Sequence, residues 1–202
     1  MKRLLVGNNM NFPYRIVLAS NSPRRRELLG GLGIPFTTRV LDGIDESWPS
    51  DLKGEDIPLY ISREKASAYK SSIAPDELVI TADTIVYVDG QVLGKPVDGS
   101  DAKRMLRQIS GRWHEVITGV TLMTADRERS FAVTTRVRFC DLSDEEIDHY
   151  VSEFAPMDKA GAYGIQEWIG YIGVERIEGS YFNVVGLPVQ RLYRELTDFY
   201  KI

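Results

Sequence analysis

Hydrophobic residues recur along this chain with two periods, and the switches between them mark out the elements. Residues 16–19 form a short apolar run that reads as the end of a strand. In the polar loop that follows, Ser22 suits a helix N-cap and Pro23 the first helical position, where no N–H is needed. Leu28, Leu29 and Leu32 then share one helical face, and Gly30, Gly31 and Gly33 offer places to stop. Residues 42–57 are acidic and rich in Gly, Pro and Ser, so they read as a loop, with Asp45 and Glu46 inside it. Residues 58–70 predict a helix from the partial apolar spacing of Leu59, Ile61, Ala66 and Tyr69. Residues 78–82 predict a strand that ends at Asp83. Residues 84–88 and 91–93 flank Asp89-Gly90, a strong signal for a two-residue hairpin.

Further along, residues 101–109 predict a helix with Met105, Leu106 and Ile109 inward. Residues 116–123 and 131–139 predict strands, the second alternating through Phe131, Val133, Thr135, Val137 and Phe139. Ser143 with Glu146 predicts a capping box for a helix over 144–154, whose acidic start complements the helix dipole. Residues 156–186 are dense in glycine and aromatics and are expected to hold strands and loops that pass close to something. A closing helix is expected over 187–200, with Leu192, Leu196 and Tyr200 at helical spacing. Helices, strands and hairpins are interleaved, which points to α/β or α+β with a mixed sheet. No repeat or linker divides the chain. Residues 1–13 read as a polar extension, in which Met10 offers an alternative start, and 14–202 as a single domain.

A chain of 202 residues makes one large domain or two small lobes around a cleft, and 43% hydrophobic residues suffice for a core. The net charge of -4 argues against a nonspecific nucleic-acid coat. It leaves room for a nucleotide substrate, which needs only a local basic pocket. The single cysteine, Cys140, permits no internal disulfide and reads as packing in a reducing, cytoplasmic compartment. His114 and His149 lie outside any metal-binding spacing. No apolar run is long enough to cross a bilayer. The N-terminus starts like a signal peptide, but its apolar part is short and Asn8, Asn9 and Asn11 follow at once.

The candidate chemistry begins with Arg24, Arg25 and Arg26 in the first turn of the first helix. Cations there oppose the helix dipole, so a bound anion, best a polyphosphate, would resolve the conflict; solvated surface arginines are the alternative. Asp83 follows an apolar strand, where a carboxylate facing a cleft can hold a metal ion or take a proton from water; a turn-capping Asp is the plainer reading. Lys95, between Gly94 and Pro96, is either a phosphate-reaching point charge or an ordinary exposed lysine. Residues 158–166 combine small residues that admit a ligand to the backbone with the charge of Lys159 and the amide of Gln166. Lys65, beside Arg63 and Glu64, reads equally as a solvated helix face, and Asn183 as structural. There is no Walker-type loop, dinucleotide fingerprint or nucleophile elbow.

Taken together and in order, these pieces resemble the Maf family of nucleoside triphosphate pyrophosphatases, also called septum formation proteins. The matching stretches are 18–25, 63–66, 82–84, 94–96, 158–166, 179–181 and 185–188, spread over roughly 14–200. The resemblance implies an elongated α/β domain of the inosine-triphosphate-pyrophosphatase type, with two lobes around a deep cleft. It implies hydrolysis of a nucleoside triphosphate to the monophosphate and pyrophosphate with a divalent metal, Mg²⁺ or Mn²⁺. Asp83 matches the family's proton acceptor. Arg24, Thr84 and Gln166 match the three positions that mark the dTTP/UTP-preferring branch; a branch acting on 7-methyl-GTP has a tryptophan and a glutamate at the first and last of these. On this reading Ser20, Arg24, Arg25, Lys65, Lys95 and Lys159 hold the triphosphate, and Glu46 and Asp83 hold the metal. The glutamine amide can pair with the O4 and N3–H edge of uracil or thymine. The family usually has glycine after that glutamine, where this chain has Glu167 and Trp168, so a different loop path is expected. Other readings are a nucleotide-binding regulator of cell division and a same-fold enzyme of different base preference. The family tendency is a homodimer.

Overall fold

The computed structural model describes residues 13–199. All but the last residue of the 1–13 extension, and Tyr200 of the closing helix, lie outside the described residues. In chain order the elements are β1 (Arg15–Leu18), α1 (Pro23–Gly30), β2 (Phe36–Thr38), α2 (Asp56–Ser67), β3 (Glu77–Val88) and β4 (Gln91–Leu93). Then follow α3 (Gly99–Ile109), β5 (Trp113–Met123), β6 (Glu128–Phe139), α4 (Asp144–Phe154), α5 (Trp168–Gly173), β7 (Val174–Glu178), α6 (Tyr181–Val185) and α7 (Val189–Phe199). One mixed sheet runs β2-β1-β3-β5-β6-β7, with β4 added on β3. β1 is parallel to both β2 and β3, and the remaining pairs are antiparallel. The expected mixed-sheet α/β fold is what forms.

Alternation along the strands assigns side chains to faces. Ile16 and Leu18 of β1, with Leu78 and Ile80 of β3, pack under α1 and α7 through Leu29, Leu192 and Leu196. Val17 and Val79 face the other way, toward Ala66 and Tyr69 at the end of α2. The far halves of β3, β5 and β6 build a second core with α3 and α4, centred on Leu106, Ile109, Phe139 and Tyr150. Met105, Leu106 and Ile109 point inward as the helical spacing predicts.

Local signals in the sequence act as expected at several points. Ser22 caps α1, accepting the Arg25 N–H. Ser143 and Glu146 form the reciprocal capping box of α4. Asp89 and Gly90 both have positive φ, 51° and 79°, as a two-residue hairpin turn requires.

Three expectations need correction. β3 does not end at Asp83; it continues to Val88, so Asp83 is mid-strand. The polar pair Asp83-Thr84 resembles a strand end, but β5 pairs without a break alongside β3 from Val79 to Tyr87 and carries the strand through. α2 starts earlier and stops earlier than 58–70, because Asp56 supplies an acidic first turn and the chain tightens into a turn after Ser67. Residues 156–186 are mainly short helical turns with β7 as their one strand; their glycines serve turns and close contacts rather than an extended ladder.

The seating of α2 depends on Gly119. A Cβ there would lie 2.3 Å from the carbonyl group of Pro58, so the first turn of α2 lies directly on β5. Gly119 is paired with Asp83 in the sheet. Below α2, Ser62, Thr81 and Thr121 are buried but satisfy one another: Thr81 donates to the Ser62 carbonyl (2.6 Å), and the Ser62 and Thr121 hydroxyls lie 3.0 Å apart. Gly119→Ala is therefore expected to lower unfolding free energy by about 1–3 kcal/mol in a urea titration, since backbone rather than a flexible side chain meets the new methyl.

In the second core His114 is 2% exposed, its Nε2 lies 2.8 Å from the Tyr163 hydroxyl, and burial pushes its pKa down from 6.5 to about 3. The folded state thus disfavours the protonated ring. The native advantage is complete above about pH 6.5 and is lost as the pH falls toward about 3. Denaturant titrations from pH 7 to pH 4.5 should show this acid limb, and His114→Gln should flatten it.

Candidate active site

A cleft of about 770 Å³ opens where β3 loses a neighbour. β1 pairs with β3 only as far as Ile80, and β4 begins to pair with it at Val86. Between these points one edge of β3 is free of strand partners among the described residues, and the cleft lies along it. Ala82, Asp83 and Thr84 line it, with residues 19–25 before α1, the 40–48 loop, Gly94 and Lys95, and the turns of 158–166 and 184–186.

Alternation puts Asp83 and Thr84 on opposite faces of β3, and each meets a different helix. Asp83 Oδ1 accepts from Lys65 Nζ of α2 at 2.8 Å. The same ammonium lies 2.9 Å from Glu46 Oε1. One cation therefore joins the two carboxylates that the sequence assigned to metal. Burial pushes the Glu46 carboxyl up, but the Lys65 hydrogen bond, with Lys65, Lys95 and Arg25 nearby, brings it below its ordinary value.

Thr84 faces α1. Its hydroxyl accepts from Arg25 Nη2 (3.0 Å) and lies 2.9 Å from the Thr118 hydroxyl. Arg25 also donates from Nε to the Gly186 carbonyl (2.9 Å) and from Nη1 to the Ala82 carbonyl (2.8 Å), on the free edge of β3. Desolvation lowers its pKa, with Asp83 opposing that shift. Arg25 thus ties α1, β3 and the end of α6 together, a framework role that its position in a run of arginines did not reveal.

Arg24 crosses the cleft to Asp158, with Nη1 2.7 Å from Oδ2. Asp158 Oδ1 also accepts from Lys159 Nζ at 2.7 Å. Burial would raise the Asp158 carboxyl, but the two cations hold it down at about 2. Lys159 Nζ lies in addition 3.0 Å from Glu167 Oε1. The expected need of Arg24 for an external anion is thus met in part from inside, by Asp158 in the lining of the same cleft.

The remaining predicted residues are also in the cleft. The Ser20 hydroxyl accepts the Ser22 N–H at 3.2 Å. Lys95 is exposed and, among the described residues, makes no ion pair; Gln166 is exposed and its amide makes no hydrogen bond there. Asn183 is structural as expected: its amide nitrogen donates to the Val116 carbonyl and the Thr135 hydroxyl, both at 3.0 Å. Cys140 is only partly buried, just beyond β6, and not a core residue of a strand. Tyr163 is buried and forms a wall of the cleft backed by His114, and the sequence reading missed Tyr150, which bonds Glu167 and the Gly164 N–H.

The model of the family described as Maf-like protein matches residues 15–199. The chain belongs to the Maf family. A Maf relative from Phocaeicola vulgatus, named dTTP/UTP pyrophosphatase, is 62% identical over 183 residues, covering 91% of this chain and 95% of that one. Another of the same name, from Porphyromonas gingivalis, is 54% identical over 188 residues, covering 92% and 94%. Among solved structures, a HAM1 protein from Coxiella burnetii superposes with a TM-score of 0.51 at 13% identity, covering 92% of this chain and 99% of that one, which is a likeness of fold. No helix among the described residues is long and apolar enough to cross a membrane.

For this Maf protein, Arg25→Lys is expected to cost about 2–4 kcal/mol of stability in chemical denaturation, because an ammonium cannot span three acceptors that a guanidinium fork holds at once.

Proposed function

We propose that this chain hydrolyses dTTP and UTP to the nucleoside monophosphate and pyrophosphate. The observation that carries the reading is the Glu46–Lys65–Asp83 cluster on the free edge of β3, facing Arg24, Lys95 and Lys159 across one cleft. The names of the Maf relatives support the substrate class. Water attacks the α-phosphorus, a bond forms from its oxygen, and the bond to the β-phosphate oxygen breaks. Asp83 takes the water's proton at Oδ2, since Oδ1 accepts from Lys65. Lys95, Arg24, Arg25 and Lys159, with Ser20 at the start of α1, hold the phosphates, and neutralising and positioning them supplies most of the rate.

A divalent metal fits this site. Glu46 and Asp83 already share one cation, the Lys65 ammonium, and no third His, Cys, Asp or Glu side chain joins them among the described residues. Two carboxylates suit Mg²⁺ or Mn²⁺, which complete their shells with water and phosphate oxygens. When bound there, the ion would neutralise phosphate charge and make the water more acidic.

Gln166, with an unpaired amide, suits the donor–acceptor edge of uracil or thymine, and Tyr163 supplies an apolar wall. Arg24 and Thr84 belong to the same specificity set. Residues 14–202 act as one domain behind a 1–13 extension in this reading. The place of action is the cytoplasm, supported by the free thiol of Cys140. A homodimer is the assembly the reading includes.

The test is a metal-dependent nucleotide screen that detects both products. Equal yields of monophosphate and pyrophosphate from dTTP and UTP are expected, with Asp83→Asn lowering kcat by about 10²–10⁴ while the far-UV spectrum is kept. Release of orthophosphate instead would reject the bond assignment. Faster turnover of 7-methyl-GTP than of dTTP would reject the base preference.

A further inference from the structure

Glu167 holds an unusual place for a carboxylate. It is the N-cap of α5, yet its side chain makes no capping hydrogen bond. Its backbone is extended, with φ -100° and ψ 177°, so the position does not call for glycine. The side chain instead folds back over Gly164, where a Cβ would stand 2.8 Å from the Glu167 carboxyl carbon. There it accepts the Tyr150 hydroxyl on Oε2 and lies 3.0 Å from Lys159 Nζ on Oε1. Tyr150, fully buried in the second core, accepts the Gly164 N–H in turn at 3.0 Å. The main chain closes the same turn, as the Glu167 N–H donates to the Gly164 carbonyl at 2.9 Å.

Residues 164–167 are therefore one turn closed twice, by the backbone and by a side-chain relay anchored in the core. Gln166 sits inside it. Both ends of the turn, Gly164 and Glu167, hydrogen-bond to the hydroxyl of one tyrosine buried in the core. A glutamine on a fixed turn meets a base edge at one distance and angle, whereas a mobile turn lets the amide swing and follow either donor–acceptor order. Uracil and thymine present an acceptor beside a donor where cytosine presents the reverse.

We propose that Glu167 is a positioning residue for base selection: through Tyr150 and Lys159 it fixes the turn that carries Gln166, and so sets how sharply thymine and uracil nucleotides are separated from cytosine nucleotides. The proposal rests on the pyrophosphatase reading above. It gives Lys159 a defined place as well, held at the turn by one carboxylate and at Arg24 by another, Asp158.

The experiment compares kcat and KM for dTTP and CTP in the wild type, Glu167→Ala, Glu167→Gln and Tyr150→Phe, with thermal unfolding of each. Glu167→Ala and Tyr150→Phe should lower the dTTP/CTP ratio of kcat/KM about tenfold, through kcat for dTTP, a change typical of a loosened recognition contact. Glu167→Gln keeps an acceptor for Tyr150 and should restore most of the ratio, while lowering KM for both nucleotides because Lys159 loses an opposing charge. If Tyr150→Phe does not fold, the two Glu167 variants decide. An unchanged ratio in Glu167→Ala, whatever its melting temperature, overturns the proposal and leaves the pyrophosphatase reading intact. A wild type inert toward dTTP, UTP and CTP rejects the reading and the proposal with it.

Discussion

Between Thr81 and Ile85 one edge of β3 has no strand beside it among the described residues, and the cleft lies along that gap. β1 stops pairing at Ile80 and β4 starts at Val86, while β5 runs unbroken along the other edge. A continuous strand on one side keeps the backbone straight; a missing strand on the other lets a ligand approach it. The exposed backbone would be costly without partners, and the Arg25 guanidinium supplies one by donating to the Ala82 carbonyl. Because consecutive residues face opposite ways, this single stretch delivers Asp83 to α2 and Thr84 to α1. Gly119, on the same rung as Asp83, brings α2 close enough for Lys65 to complete the pair.

Three cations of the cleft, Lys65, Arg24 and Lys159, are paired with carboxylates of the chain itself. Lys65 sits between Glu46 and Asp83, Arg24 on Asp158, and Lys159 between Asp158 and Glu167. Leaving several cations unpaired in a partly buried cleft would cost desolvation energy and mutual repulsion. Pairing them with carboxylates fixes their geometry, which is what an anion site needs most. Lys95 lines the same cleft, is exposed and has no ion pair among the described residues, which suits it to the phosphate contact that the proposed function gives it.

Much of the frame was legible because short-range physics decides it. The Asp89-Gly90 hairpin, the Ser22 and Ser143 caps and the inward face of α3 depend on neighbours within a few residues. The site residues were legible as types, and the structure brings Glu46, Lys65, Asp83, Lys95, Lys159 and Gln166 to one cleft. What sequence did not disclose depends on distant partners. The length of β3 follows from β5, the close seat of α2 from Gly119, and the role of Tyr150 from Glu167. A tyrosine in an amphipathic helix gives no local hint that its hydroxyl will anchor a turn more than a dozen residues away.

The arginines of α1 show the limit most clearly. Three cations in the first turn of a helix oppose its dipole, and from sequence alone an anion is the simplest way to offset them. It does not say which anion. In the folded chain Arg24 takes Asp158, and Arg25 takes neutral oxygens of Gly186, Ala82 and Thr84. An ion pair across the cleft, with an Asp158 side chain 58% exposed, is held by modest energy and is open to exchange. On the proposed function, a triphosphate would carry more charge than one carboxylate and could replace Asp158 as the partner of Arg24. The Asp158 carboxylate is shared, since its other oxygen accepts from Lys159. Under the proposed function the internal anion and the external one are alternatives for the same guanidinium, and either one offsets the unfavourable placement of that charge at a helix N-terminus.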